Sequence, residues 1–184
     1  MSDILNSQAF FYVLLVGFAG YTVYYLWNVA KFVKGNLDAR KRYYEKYGKE
    51  GSRQVNQFWV WLIGYTAIII YAFVSAATIL PEAEQAEWFR MAFVFVGMIL
   101  LGQLFVMVVK RSAVLGPEAF VVEDKVIPWK SVLSLDPKKK GLQRIVELVT
   151  TQGKVVLSRE MGLVIHDSFE EWRRIRKEKK GNKK

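Results

Sequence analysis

Three stretches of this chain carry no charged residue: 9–30, 58–80 and 91–109, which are 22, 23 and 19 residues long. A helix rises 1.5 Å per residue, so the first spans about 33 Å against about 30 Å for the hydrocarbon core of a bilayer. A helix of that length in a water-soluble protein keeps a polar face, and these have none. Three transmembrane helices are therefore expected, and a simple soluble globule or a disordered chain is excluded. The leader before the first run holds Asp3 and no Lys or Arg, and a basic segment rather than a small-residue cleavage site follows that run. It reads as a retained anchor, not a secretory signal.

The charge pattern sets an expected orientation. The chain has 27 Lys+Arg, 17 Asp+Glu and a formal net charge of +10. Segment 31–54 carries eight basic residues, and the region from Lys110 onward carries eighteen. The segment between the second and third runs has only Arg90, beside Glu82, Glu84 and Glu87. Cytoplasmic loops are enriched in Lys and Arg, so the N-terminus is expected outside and the C-terminal tail in the cytoplasm of an inner (plasma) membrane. Trp27, Trp59, Trp61 and Trp88 fall near the ends of the runs, as interfacial tryptophans do.

The runs themselves offer little chemistry. None contains an ionisable Asp, Glu, Lys, Arg or His, so a proton relay across the membrane has no carrier. Gln103 is the one large amide well inside a run. It is expected to bond a neighbouring helix, with substrate contact as the alternative. Ala72 and Ala76 have the spacing that lets two membrane helices approach closely, within one bundle or between copies.

Segment 31–54 mixes Lys34, Arg40, Lys41, Arg42 and Lys46 with tyrosines, and reads as a loop with a short helix capped by Asn36 and ended by Gly48. Its basic groups are expected to face anionic lipid headgroups, where each is worth roughly 1 kcal/mol. Residues 1–111 thus read as a membrane domain, 112–180 as a folded cytoplasmic tail and 181–184 as a basic end.

Past Arg111 the pattern changes to short β-rich runs at 119–122, 126–129, 131–135, 144–151 and 154–159. Pro128 suits an edge or a bend. Segment 136–141, DPKKKG, reads as a turn presenting Lys138, Lys139 and Lys140, and Gln152-Gly153 as a hairpin turn. Ser168 and Glu171 have capping-box spacing, with Phe169, Trp172 and Ile175 following on one helical face. The fold class is α+β: three membrane helices, then a small antiparallel sheet with an amphipathic C-terminal helix.

The segments FVVEDKVIPWKSVLSL, RIVELVTTQGKVVLS and SFEEWRRIRK resemble the bacterial pleckstrin-homology-like domains. The whole plan resembles small three-span bacterial inner-membrane proteins of unknown function with such a tail. The resemblance implies seven strands and a helix. Some members of the wider fold bind phosphoinositides through a basic loop between the first two strands, whereas Lys138, Lys139 and Lys140 follow a later strand.

No cysteine is present and there is a single histidine, which excludes disulfides, thiol chemistry and His-based triads or metal sites. No nucleophile elbow, phosphate loop or zinc-binding motif occurs. His166-Asp167 reads as capping and packing, and Glu82, Glu84 and Glu87 as solvated charge. The terminal basic run lacks the interleaved aromatics of a nucleic-acid surface. The expected role is a non-enzymatic, cofactor-free scaffold, accessory subunit or regulator of a membrane complex. Its expected partners are anionic lipid headgroups and a membrane protein or a second copy. A small transport or channel component formed by oligomerisation is the alternative.

Overall fold

A computed structural model describes residues 8–78, 86–140 and 143–181. It divides into two compact units: Met1–Lys31 with Trp59–Val106, and Phe32–Phe58 with Met107–Lys184.

The first unit is helical. It holds the first part of α1 (Gln8–Tyr47), all of α2 (Trp59–Thr78) and most of α3 (Ala86–Lys110). These three helices are long and apolar enough to cross a membrane, which is compatible with a multi-pass membrane protein. Large apolar side chains such as Val60 and Ile63 lie exposed around them, a surface suited to lipid rather than water. Among the described residues, the buried positions include Thr22 and Val29 on α1 and Ile69 on α2. Ala72 and Ala76 are both buried on α2. On α3, a side chain at Gly97 would come within 2.9 Å of Phe73, and one at Gly102 within 2.6 Å of Tyr25. Small residues therefore set how closely these helices pack. Gln103 is exposed and lies beside Tyr25 of α1.

Among its described residues, the second unit contains seven strands. β1 (Arg53–Asn56), β2 (Ser112–Leu115), β3 (Ala119–Val122) and β4 (Lys125–Pro128) form one antiparallel sheet in that order. A 3-10 turn at Trp129–Ser131 leads to β5 (Val132–Lys140), β6 (Gln143–Thr150) and β7 (Gly153–Ser158), the second antiparallel sheet. Helix α4 (Arg159–Gly181) follows. Successive strand residues point to opposite faces, and both faces of the first sheet are covered. Ala113, Leu115, Phe120, Val122 and Ile127 face a core shared with Leu148, Leu157 and with Met161 and Ile165 of α4. Val114, Ala119 and Val121 face a second cluster with Ala39 and Tyr43 of α1. Each large side chain removed from water in this way contributes about 1.5–3 kcal/mol.

Several local expectations give way to longer-range packing. Segment 32–47 is not a loop with a short helix: it continues α1. Asn36 is not a cap but a buried side chain that donates to the Glu123 carbonyl. β1, a few residues beyond that helix, pairs with β2 as Arg53↔Leu115 through Asn56↔Ser112. Ser168 does not begin the last helix. That helix starts at Arg159, where Ser158 Oγ accepts from the Met161 amide at 3.3 Å. Ser168 lies mid-helix, bonded back to the Val164 carbonyl at 2.8 Å. Segment 136–140 is strand rather than turn, with Pro137 opposite Val146. Proline is tolerated there because β5 is outermost in its sheet. Pro128 likewise lies on an outer strand, β4. The β6–β7 turn is Thr151-Gln152, with Thr150 paired to Gly153.

Candidate functional site

Within the second unit, α4 is longer than the core that it covers. Its first turns bury Met161 and Ile165 completely. Further along, Phe169 and Trp172 are only partly buried, and Ile175 is 42% exposed. A line of rings runs outward from the core: Phe120 to Trp129 at 4.3 Å, Trp129 to Phe169 at 6.3 Å, and Phe169 to Trp172 at 5.9 Å. Trp129 is fixed by its own indole N–H, which donates to the Gly116 carbonyl at 2.7 Å. Arg173 and Arg176 lie over the rings of Phe169 and Trp172, at 5.5 and 5.2 Å. Each is one helical turn beyond its ring, the spacing that places side chains face to face.

Two clefts flank this ridge. One, about 550 Å³, runs between α4 and the β2–β3 turn and reaches Arg53, Pro117, Trp172, Ile175 and Lys179. Arg53 donates to Ser168 Oγ at 3.0 Å and so ties the start of β1 to α4. The other, about 270 Å³, opens between α4 and the start of β5. Trp129, Trp172 and Arg176 line both. The face is thus an aromatic ridge with guanidinium groups on its rings and a groove on either side, the larger mainly apolar and the smaller mainly polar. Such a surface can bind an extended segment; among the described residues, no group of three His, Asp or Glu side chains could hold a metal ion.

The basic residues singled out from the sequence do not form one surface patch. Lys34, Lys41, Arg42 and Lys46 are exposed on α1. Arg40 is half-buried and donates to Ser112 Oγ at 2.7 Å, and burial lowers the pKa of its guanidinium. Its role is to hold α1 against β2. Lys138 pairs with Glu147, which also holds Lys154 at 3.2 Å. The hydrogen bond from Lys138, with that from Lys154, keeps the Glu147 carboxyl below the ordinary carboxylate range. Lys139 is exposed, and the Lys140 side chain lies outside the described residues. Glu82 and Glu84 also lie outside them. Arg42 and Lys46 share a cleft of about 380 Å³ with Lys125 at the start of β4.

Sequence reading found Phe169, Trp172 and Ile175 but missed their neighbours Trp129, Arg53 and Arg176. The available signal was an apolar stripe that continues into the basic run instead of stopping before it. Comparison with models of known families, with curated proteins and with solved structures finds no match to this chain.

Proposed function

We propose that this is a non-enzymatic integral membrane protein whose second unit is a docking module. The protein serves as scaffold, accessory subunit or regulator of a membrane complex. Lys/Arg asymmetry across the three spans favours an inner (plasma) membrane location with the N-terminus outside and the module in the cytoplasm. The module is read as pleckstrin-homology-like. Support comes from its plan of four plus three antiparallel strands followed by one helix.

The observation that carries the docking role is the exposed ridge of Trp172 and Ile175 between two clefts. Aromatic and arginine side chains of this kind dominate binding energy at protein interfaces. The test is photo-cross-linking from a benzoylphenylalanine placed at Ile175 of the full-length protein in native membranes. A discrete cross-linked protein is expected from Ile175, and none from Leu163, which is exposed on the same helix and lines neither cleft. Absence of any adduct at Ile175 would contradict the proposal.

A further inference from the structure

The cleft between β5 and α4 differs from its neighbour in charge. Its ionisable lining is Lys130, Arg173 and Arg176, with no carboxylate among the lining residues. Glu170, one turn back on α4, reaches Arg173 at 3.1 Å from outside that lining. The apolar part of the cleft is made by Phe169, Trp172 and Leu133, and Leu133 is 64% exposed on β5. We propose that this cleft takes an acidic peptide segment that inserts one apolar side chain between Leu133 and the Phe169–Trp172 rings. The proposal rests on the docking reading above and specifies the chemistry of the partner.

Three features favour a peptide over a lipid surface. A guanidinium lying on a ring can grip a carboxylate through its edge donors, as Arg173 already does by one hydrogen bond to Glu170 at 3.1 Å, and Arg176 on the Trp172 ring has the same geometry. The cleft is concave and close to a single large side chain in size, whereas a headgroup layer presents a broad surface. And β5 is the outermost strand of its sheet, so backbone donors and acceptors run alongside the cleft. A peptide backbone can bond to such an edge and a lipid tail cannot. The register shifts between Val132 and Ser134, which leaves Leu133 out of the ladder and available to the incoming side chain.

The chain has no native cysteine, so Ser134→Cys, next to the cleft but not among its lining residues, can carry a single environment-sensitive dye. The labelled full-length protein, in nanodiscs of neutral lipid, is titrated with two short synthetic peptides. One alternates Asp and Glu with Leu and Phe; the other has Lys in place of each acid. A saturable blue shift is expected with the acidic peptide only. The Arg173→Glu/Arg176→Glu protein should bind it at least about tenfold more weakly and should now accept the Lys peptide, which also shows that the variant is folded. Equal binding of both peptides, unchanged affinity in the charge-reversed protein, or no shift with either peptide overturns the proposal. A blue shift in anionic nanodiscs without peptide assigns the cleft to lipid and overturns it as well. Cross-linking from Ile175 reports docking whatever the partner's charge. Loss of the charge preference with those cross-links intact therefore removes the peptide chemistry and leaves the docking role standing.

Discussion

Glu123 has a positive φ of 54°, a conformation that costs a residue with a side chain roughly 1–2 kcal/mol. It is held there because the next strand must return at once, with Val122 paired to Lys125, and because Asn36 donates to its carbonyl. Burial also raises the pKa of its carboxyl above the ordinary 4.5. A raised acid pKa stabilises the folded state below the unfolded value and loses that contribution as pH rises through the folded one. Glu123→Gln should therefore raise the melting temperature at pH 7 and have little effect below pH 4.5. Glu123→Gly should add about 1 kcal/mol by relieving the backbone. Glu147 has the opposite sign. Its pKa is lowered, so its contribution is present above the unfolded value and is lost as pH falls through the folded one. Glu147→Gln should lower the melting temperature at pH 7 and lose its effect in acid. Thermal unfolding at the two pH values checks all three variants. Two glycines make a further test. A Cβ at Gly116 would collide with the Tyr43 hydroxyl, and one at Gly162 with Val146. Alanine favours a helix over glycine by about 1 kcal/mol. Gly162→Ala should nonetheless destabilise by roughly 1–3 kcal/mol, as should Gly116→Ala, each measured as a lower unfolding midpoint.

At the level of whole elements, the segment between the first two apolar runs belongs to the second compact unit. Without Phe32–Phe58, the Val114–Ala119–Val121 face of the first sheet loses Ala39 and Tyr43, and β2 loses the partner strand β1. Residues 112–184 expressed alone should therefore aggregate or lack cooperative unfolding. A chain joining residues 32–58 directly to 107–184 through a short Gly-Ser linker should fold, since the Gln57 amide already donates to the Arg111 carbonyl at 2.8 Å. Circular dichroism melts of the two fragments decide the matter; equal cooperative melts would contradict this assignment.

The same elements show what could be read from the sequence. The three long apolar helices were legible because an uncharged run of that length has few alternatives. Strands β3, β6 and β7 were legible from their Val-rich runs. β1, RQVN, has one apolar residue, and β2, SAVL, follows directly on α3; neither has enough pattern to stand out. The end of α1 was hidden because its buried surface is a narrow strip of Asn36, Ala39 and Tyr43 amid many charges. The start of α4 was hidden because Ser168 sits ahead of Glu171 at capping distance, although tertiary packing carries the helix through it. Half of the candidate site lies on the legible helix. The rest, Trp129 and Arg53, arrives from elements distant in sequence.

For the complete protein, orientation and docking can be tested with single introduced cysteines. A Cys at Gln85 should react with an impermeant thiol reagent added to intact cells, while a Cys at Ser52 or Ser134 should not; labelling at Ser134 would reverse the assigned topology. The docking role itself is tested most directly by the reactivity of Ile175→Cys, compared with Leu163→Cys, in open native membranes and after purification in detergent. A partner seated on the α4 ridge shields position 175 only. The rate at Ile175→Cys should therefore be low in membranes and rise on purification, while the rate at Leu163→Cys is the same in both. Equal rates at position 175 in membranes and in detergent would contradict a docked partner.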